Sequence, residues 1–119
     1  MMQRIQVNAN QRKLETADGK PFFWLADTAW ELFRRLELDE ADSYFAIRAS
    51  QGFNVIQAVL ISEFESRATV SGNVYGQPSL HDWNPETPNE AYFDHVDLIL
   101  ERAEKHGLYL ALLPVWGDK

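Results

Sequence analysis

The sequence predicts an α/β fold in which a β-hairpin leads into parallel strands joined by helices. Near-continuous apolar runs at residues 21–27, 53–61 and 108–115 read as strands buried on both faces. Amphipathic helical stretches separate them, and alternating strands and helices imply parallel pairing through right-handed crossovers. Each helix-to-strand link is a single Gly, whereas each strand-to-helix link is longer, polar and Trp-bearing. In parallel α/β folds the working surface lies at the carboxyl ends of the strands, which is where these Trp residues fall.

The first unit runs Lys13-Leu14-Glu15-Thr16, then Ala17-Asp18-Gly19-Lys20, then Pro21 to Asp27. Asp-Gly between two β-prone runs is a strong hairpin signal. Residues 11–27 are therefore expected to form the hairpin, its return arm serving as the first buried strand. A break at Asp27-Thr28-Ala29-Trp30 precedes a short helical piece from Glu31 to Arg35. In the next helix Asp39 is the expected N-cap, Glu40 and Asp42 place negative charge in the first turn, and Gly52 stands at C′. Ala41, Phe45 and Ala49 give that helix a narrow apolar stripe.

The second strand, Phe53 to Ile61, is rich in β-branched residues. From there to Pro88 nothing is periodic, and Gly72, Gly76, Pro78, Pro85 and Pro88 punctuate a long loop over 61–88. A structureless stretch of that length in a compact domain is usually functional. The third helix starts near Asn89 or Glu90, lines one face with Phe93, Val96, Leu100 and Ala103, and closes at Gly107. Leu108 to Val115 forms the third strand, ending in Trp116-Gly117-Asp118.

With 119 residues the chain is one domain at most, spanning 1–119. Its composition, 45% hydrophobic and 24% charged, excludes a disordered chain. A net charge of −7 repels phosphate backbones and anionic membrane surfaces, so neither nucleic acid nor membrane is an expected partner. A neutral sugar meets no such repulsion. The absence of cysteine excludes disulfides and thiolate metal sites. Residues 1–20 contain no apolar signal core, so the expected location is cytoplasmic, export of a longer precursor aside.

The strand ends supply Asp27, Thr28 and Trp30, then Gln57, Glu63 and Glu65, then Trp116, Asp118 and Lys119. Carboxylates beside exposed indoles are what sugar recognition needs: the former accept hydrogen bonds from hydroxyls, the latter cover the C–H face of the ring. Glu63 and Glu65 are expected on a solvated part of the loop. His81, His95 and His106 lack metal-ligand spacing, and neither a phosphate loop nor a nucleophile elbow is present. No cofactor is expected.

The stretches PFFWLADTAWELFRRL, GFNVIQAVL and NEAYFDHVDLILERAEKHGLYLALLPVWGDK closely resemble the start of the apiosidase-like catalytic domain, glycoside hydrolase family 140. The similarity runs from about Leu14, with Ala26 standing where Gly is more usual. The resemblance implies the first three β/α units of a (β/α)₈ barrel, with the hairpin covering its bottom. A full barrel takes about 250 residues, so the chain is read as a partial domain. The implied activity is hydrolysis of O-glycosyl bonds, apiose-containing pectin side chains being one substrate class. The implied chemistry is retaining, with an acid/base after strand four and a nucleophile on strand seven, about 5–5.5 Å apart. Both positions are expected beyond Lys119, leaving no catalytic residue in this chain. Asp27, Trp30, Gln57, Trp116 and Asp118 then form the floor and one wall of the substrate site.

Two other readings compete with a hydrolase. One is a non-catalytic sugar-binding chain. The other is a structural α/β unit that self-associates, because apolar side chains of strands two and three, among them Val55, Ile56, Ala58, Leu110 and Leu112, are expected to lack an inner layer.

Overall fold

A computed structural model describes residues 2–67 and 72–117. The elements run β1 (Ile5–Val7), β2 (Leu14–Thr16), β3 (Ala26–Thr28), α1 (Leu32–Arg35), α2 (Leu38–Ser50), β4 (Val55–Ile61), α3 (Glu90–Lys105) and β5 (Tyr109–Val115). A 3-10 turn at His81–Trp83 interrupts the long loop. The sheet is β3-β4-β5 and wholly parallel, with Ala26 opposite Val55 and Val55 opposite Tyr109. A separate antiparallel pair joins β1 to β2. Among the described residues no helix is long and apolar enough to cross a membrane.

The hairpin differs from expectation in its partners. Its strands are β1 and β2, and the polar stretch from Asn8 to Lys13 is its turn. The Asp18-Gly19 turn does form, closed by the Gly19 amide on the Thr16 carbonyl at 2.8 Å. Its return arm bridges only at Glu15 and Pro21, then leaves to reach β4. Proline has no N–H for a ladder, and the chain from Phe22 to Leu25 is spent crossing to the sheet. The first sheet strand is therefore three residues long.

In α2 the cap is Glu37 rather than Asp39. Glu37 and Glu40 form a reciprocal capping box, and Glu40 accepts from the Glu37 amide at 3.0 Å. Starting there also brings Leu38 against the core. The expected stripe of Ala41, Phe45 and Ala49 does face inward. In α3 the inward face sits one residue round from expectation. Tyr92, His95, Val96, Ile99 and Ala103 are buried, while Phe93 and Leu100 lie at its margin. Asn89 caps this helix by accepting from the Ala91 amide at 3.2 Å. Gly52 and Gly107, at φ +92° and +75°, follow α2 and α3 in the left-handed conformation that only glycine adopts cheaply.

One hydrophobic core joins α1, α2 and α3 to a single face of the sheet. Ile56, Ala58 and Leu108 meet Leu32, Phe33, Phe45, Tyr92 and Ile99 there. Of the side chains expected to lack an inner layer, Ile56, Ala58 and Leu110 instead face the helices and pack in this core, and Val55, on the opposite face with Gln57, is also buried. Three helices thus cover one face of the three strands, the face that carries Ile56, Ala58 and Leu110. What stays open is the rim, where Leu112 is 37% exposed and Phe23, Trp24 and Val115 more so.

Candidate functional site

Three side chains meet beyond the carboxyl end of the sheet. After β3 the Ala29 amide bonds the Gln57 carbonyl at 2.8 Å, extending the pairing by one residue and holding Trp30 just past the strand. The Trp30 indole N–H donates to Glu63 Oε1 at 3.1 Å. The Trp116 ring, which follows β5, stands 5.2 Å from the Trp30 ring at 81°. Two indoles thus make a right-angled corner with a carboxylate at its hinge, and Trp116 remains 50% exposed.

The segment carrying Glu63 is tied down on both sides. Ser62 donates to Glu31 Oε1 at 2.9 Å and accepts from the Phe64 amide at 3.1 Å. Glu31 also pairs with Arg34 at 2.9 Å, and the Arg34 guanidinium lies 5.7 Å over the Phe64 ring. Glu65 corrects the expectation of a solvated loop. It is only 2% exposed and accepts from the Ser79 amide at 2.8 Å and the Ser79 hydroxyl at 2.9 Å. A buried carboxylate needs such donors, since leaving it unpaired costs far more than any packing gain. The loop is also pinned at Tyr75, whose hydroxyl accepts from the Leu38 amide and whose ring meets His95 edge-on at 5.0 Å. Burial holds His95 below the usual histidine range.

Asp27 stands apart from the corner. Strand alternation puts it on the helix-covered face opposite Ile56, where its Oδ2 accepts from the Tyr44 hydroxyl and Arg48 Nε, each at 2.5 Å. The Tyr44 hydrogen bond, assisted by Arg48, holds the Asp27 carboxyl below its ordinary range against the opposing effect of burial. Burial first, and the hydrogen bond to Asp27 with it, pushes Tyr44 up to about 12. Asp27 therefore braces β3 against α2, beside an open depression of about 490 Å³ along the outer flank of β3.

Gln57 lies on the opposite sheet face, half-buried between Thr28 and Ala111 in register. Asp118 and Lys119 lie outside the described residues. The other two Trp residues are elsewhere. Trp24 packs edge-on with Phe22, and Trp83 lines an apolar depression with Leu80, Pro85 and Phe93. Among the described residues no three His, Asp or Glu side chains group as a metal site requires.

The sequence points to Trp30 and Trp116 and places Glu63 on the loop, where it is exposed, without revealing its contact with Trp30. A positional signal was available: Glu63 and Gly117 each stand two residues past the paired strand ends Ile61 and Val115. Equivalent positions on neighbouring parallel strands are neighbours in space.

No curated protein matches the chain. The family described as "Apiosidase-like, catalytic domain" matches residues 8–119. A solved structure described as a glycoside hydrolase is 36% identical at a TM-score of 0.82, covering 97% of this chain and 26% of that one. A glycoside hydrolase family 5 structure from Bacteroides vulgatus ATCC 8482 is 30% identical at a TM-score of 0.80, covering 96% of this chain and 25% of its own. The chain thus spans about a quarter of the length of these structures. Its three strands and the helices between them are part of a (β/α)₈ barrel, entered through the hairpin.

Proposed function

The chain belongs to the apiosidase-like catalytic domain family, and from that premise we propose that it supplies one wall of the sugar-binding site of a retaining glycoside hydrolase of family 140. The observation that carries this reading is the Trp30–Trp116 corner, placed at the end of the sheet where parallel α/β enzymes bind their ligands. Flat indoles at right angles can cover two C–H faces of a bent or branched sugar, and Glu63 adds a hydrogen-bond acceptor at their junction. Gln57 belongs to the floor, Asp118 is assigned to the same substrate site, and Asp27 acts indirectly by fixing β3. The proposed substrates are plant oligosaccharides, apiose-bearing pectin side chains first among them.

On this reading the acid/base and nucleophile stand on later strands of the barrel, and the 119-residue chain binds sugar without cutting it. An oligosaccharide carrying apiose, released from pectin, should quench the indole fluorescence of the chain saturably, and Trp116→Ala should remove the response. An aryl glycoside should not be turned over. Turnover by purified chain that Glu63→Gln abolishes would place the chemistry in the corner itself and overturn the assignment.

We also propose that the isolated chain self-associates. The outer sides of β3 and β5 pair with no strand among the described residues, and apolar Leu112 and Val115 lie along the second of these edges. Sedimentation at low micromolar concentration should show dimers or larger species; a sharp monomer boundary rejects the idea.

A further inference from the structure

We infer that Glu63 is the positioning residue of the indole corner, setting the orientation of Trp30 and through it the right angle that Trp30 and Trp116 present. The inference rests on the sugar-site reading for its purpose, but the geometry stands independently of that reading. Backbone bonding at Ala29 holds Trp30 past the end of β3, which fixes its Cα but leaves two side-chain torsions to be set. An indole has one donor and no acceptor, so the bond from Trp30 Nε1 to Glu63 Oε1 is the polar restraint that selects one ring orientation. Glu63 is itself immobilised by its neighbours: Ser62 is anchored on Glu31, and Glu65 is buried against Ser79.

The backbone after β5 completes the arrangement. A methyl group added at Gly117 would come within 3.5 Å of Glu63 Cβ and 3.8 Å of its Oε2. The chain leaving Trp116 therefore passes directly against the carboxylate that holds Trp30. One side chain meets the loops of all three strands. The charge also acts on the ring. An anionic acceptor on an indole N–H pushes electron density into the π system, strengthening its attraction for the weakly positive C–H groups of a sugar. Glu63 so combines two effects, orientation and polarisation, and they can be separated by substitution.

Two indoles this close and nearly perpendicular couple their electronic transitions and give a paired band of opposite signs in far-ultraviolet circular dichroism. Trp116→Ala assigns the pair by abolishing it. Glu63 is solvent-exposed, so its replacement leaves the core intact. Glu63→Ala should erase or strongly reduce the couplet and weaken binding of the apiose-bearing oligosaccharide about tenfold. Glu63→Gln retains an acceptor and should keep the couplet while binding falls only about threefold, the share owed to charge. A couplet unchanged in Glu63→Ala overturns the inference. Binding unchanged in Trp116→Ala sinks the sugar-site reading instead, and the couplet still decides the role of Glu63.

Discussion

The two ends of the same three strands are built on different terms. At the amino end the helix-to-strand connections are short, four residues after α2 and three after α3, and the polar groups serve the backbone. Asn54 shows this most fully. Its amide donates to the Leu25 carbonyl at 3.0 Å, and its carbonyl accepts from the Tyr109 amide at 2.9 Å. Its side chain accepts from the Leu25 amide at 2.9 Å and donates to the Phe23 carbonyl at 2.6 Å. Phe22 meets Tyr109 edge-on at 5.4 Å, and the Tyr109 hydroxyl reaches the Gln3 carbonyl in the segment entering β1. At the carboxyl end the loops are long, and their polar groups serve one another: Glu31 with Ser62, Glu65 with Ser79, Glu63 with Trp30. Closing a chain tightly leaves no side chains to spare. Looseness at the other end makes room for a site, at the cost of restraints that must be supplied by buried polar groups.

This contrast can be broken most forcefully at Glu65. Glu65→Ala strips two bonds from buried Ser79 and should lower stability by about 3 kcal/mol. Amide exchange should accelerate across residues 72–89 while residues 14–25 stay protected. Equal acceleration at both ends would mean that they are one cooperative unit. Asn54→Ala is the mirror experiment, with about 2 kcal/mol expected from losing two side-chain bonds and exchange now rising at the amino end.

The brace beneath the site gives a smaller, pH-dependent effect. Tyr44 titrates at about 12 in the fold against 10.0 when unfolded, so the unfolded state loses its proton first and stability falls as pH rises through that window. Asp27 works in the opposite sense. Its carboxyl is held below 3.8, so its contribution is present above that pH and is lost as pH falls through the lowered value. Denaturant midpoints measured against pH should show both limbs, and Tyr44→Phe should remove the alkaline one. The smallest change in stability belongs to the site itself. Trp116→Ala should cost only about 0.5 kcal/mol, because half of the ring is already in water, yet it should abolish sugar binding.

The order of strands and helices was legible because doubly buried strands need unbroken apolar runs, and because Gly52 and Gly107 mark where helices end. The site was legible where it depended on strand ends, as at Trp30 and Trp116. Two kinds of information were not local. Whether Asp27 faces helices or barrel depends on strand phase, and a strand of three residues offers too little alternation to read it. The burial of Glu65 depends on Ser79, 14 residues away across an aperiodic loop, and no pattern near either residue announces the partnership. β1 went unforeseen for a related reason: Ile5-Gln6-Val7 is too short to stand out and is defined by its pairing with β2.

The long loop between β4 and α3 also bears on the order in which the molecule assembles. Register joins Ala26 to Val55 and Val55 to Tyr109, so closing the first strand pair spans roughly 30 residues and the second roughly 55. Loop-closure entropy grows with the logarithm of length, and this near-doubling costs about 0.6 kcal/mol more. That corresponds to a two- to three-fold slower search, roughly, at equal contact strength. β3 and β4 with α2 between them should therefore form the nucleus on which α3 and β5 dock. During synthesis the same order applies, since the first pair is complete long before Tyr109 leaves the ribosome.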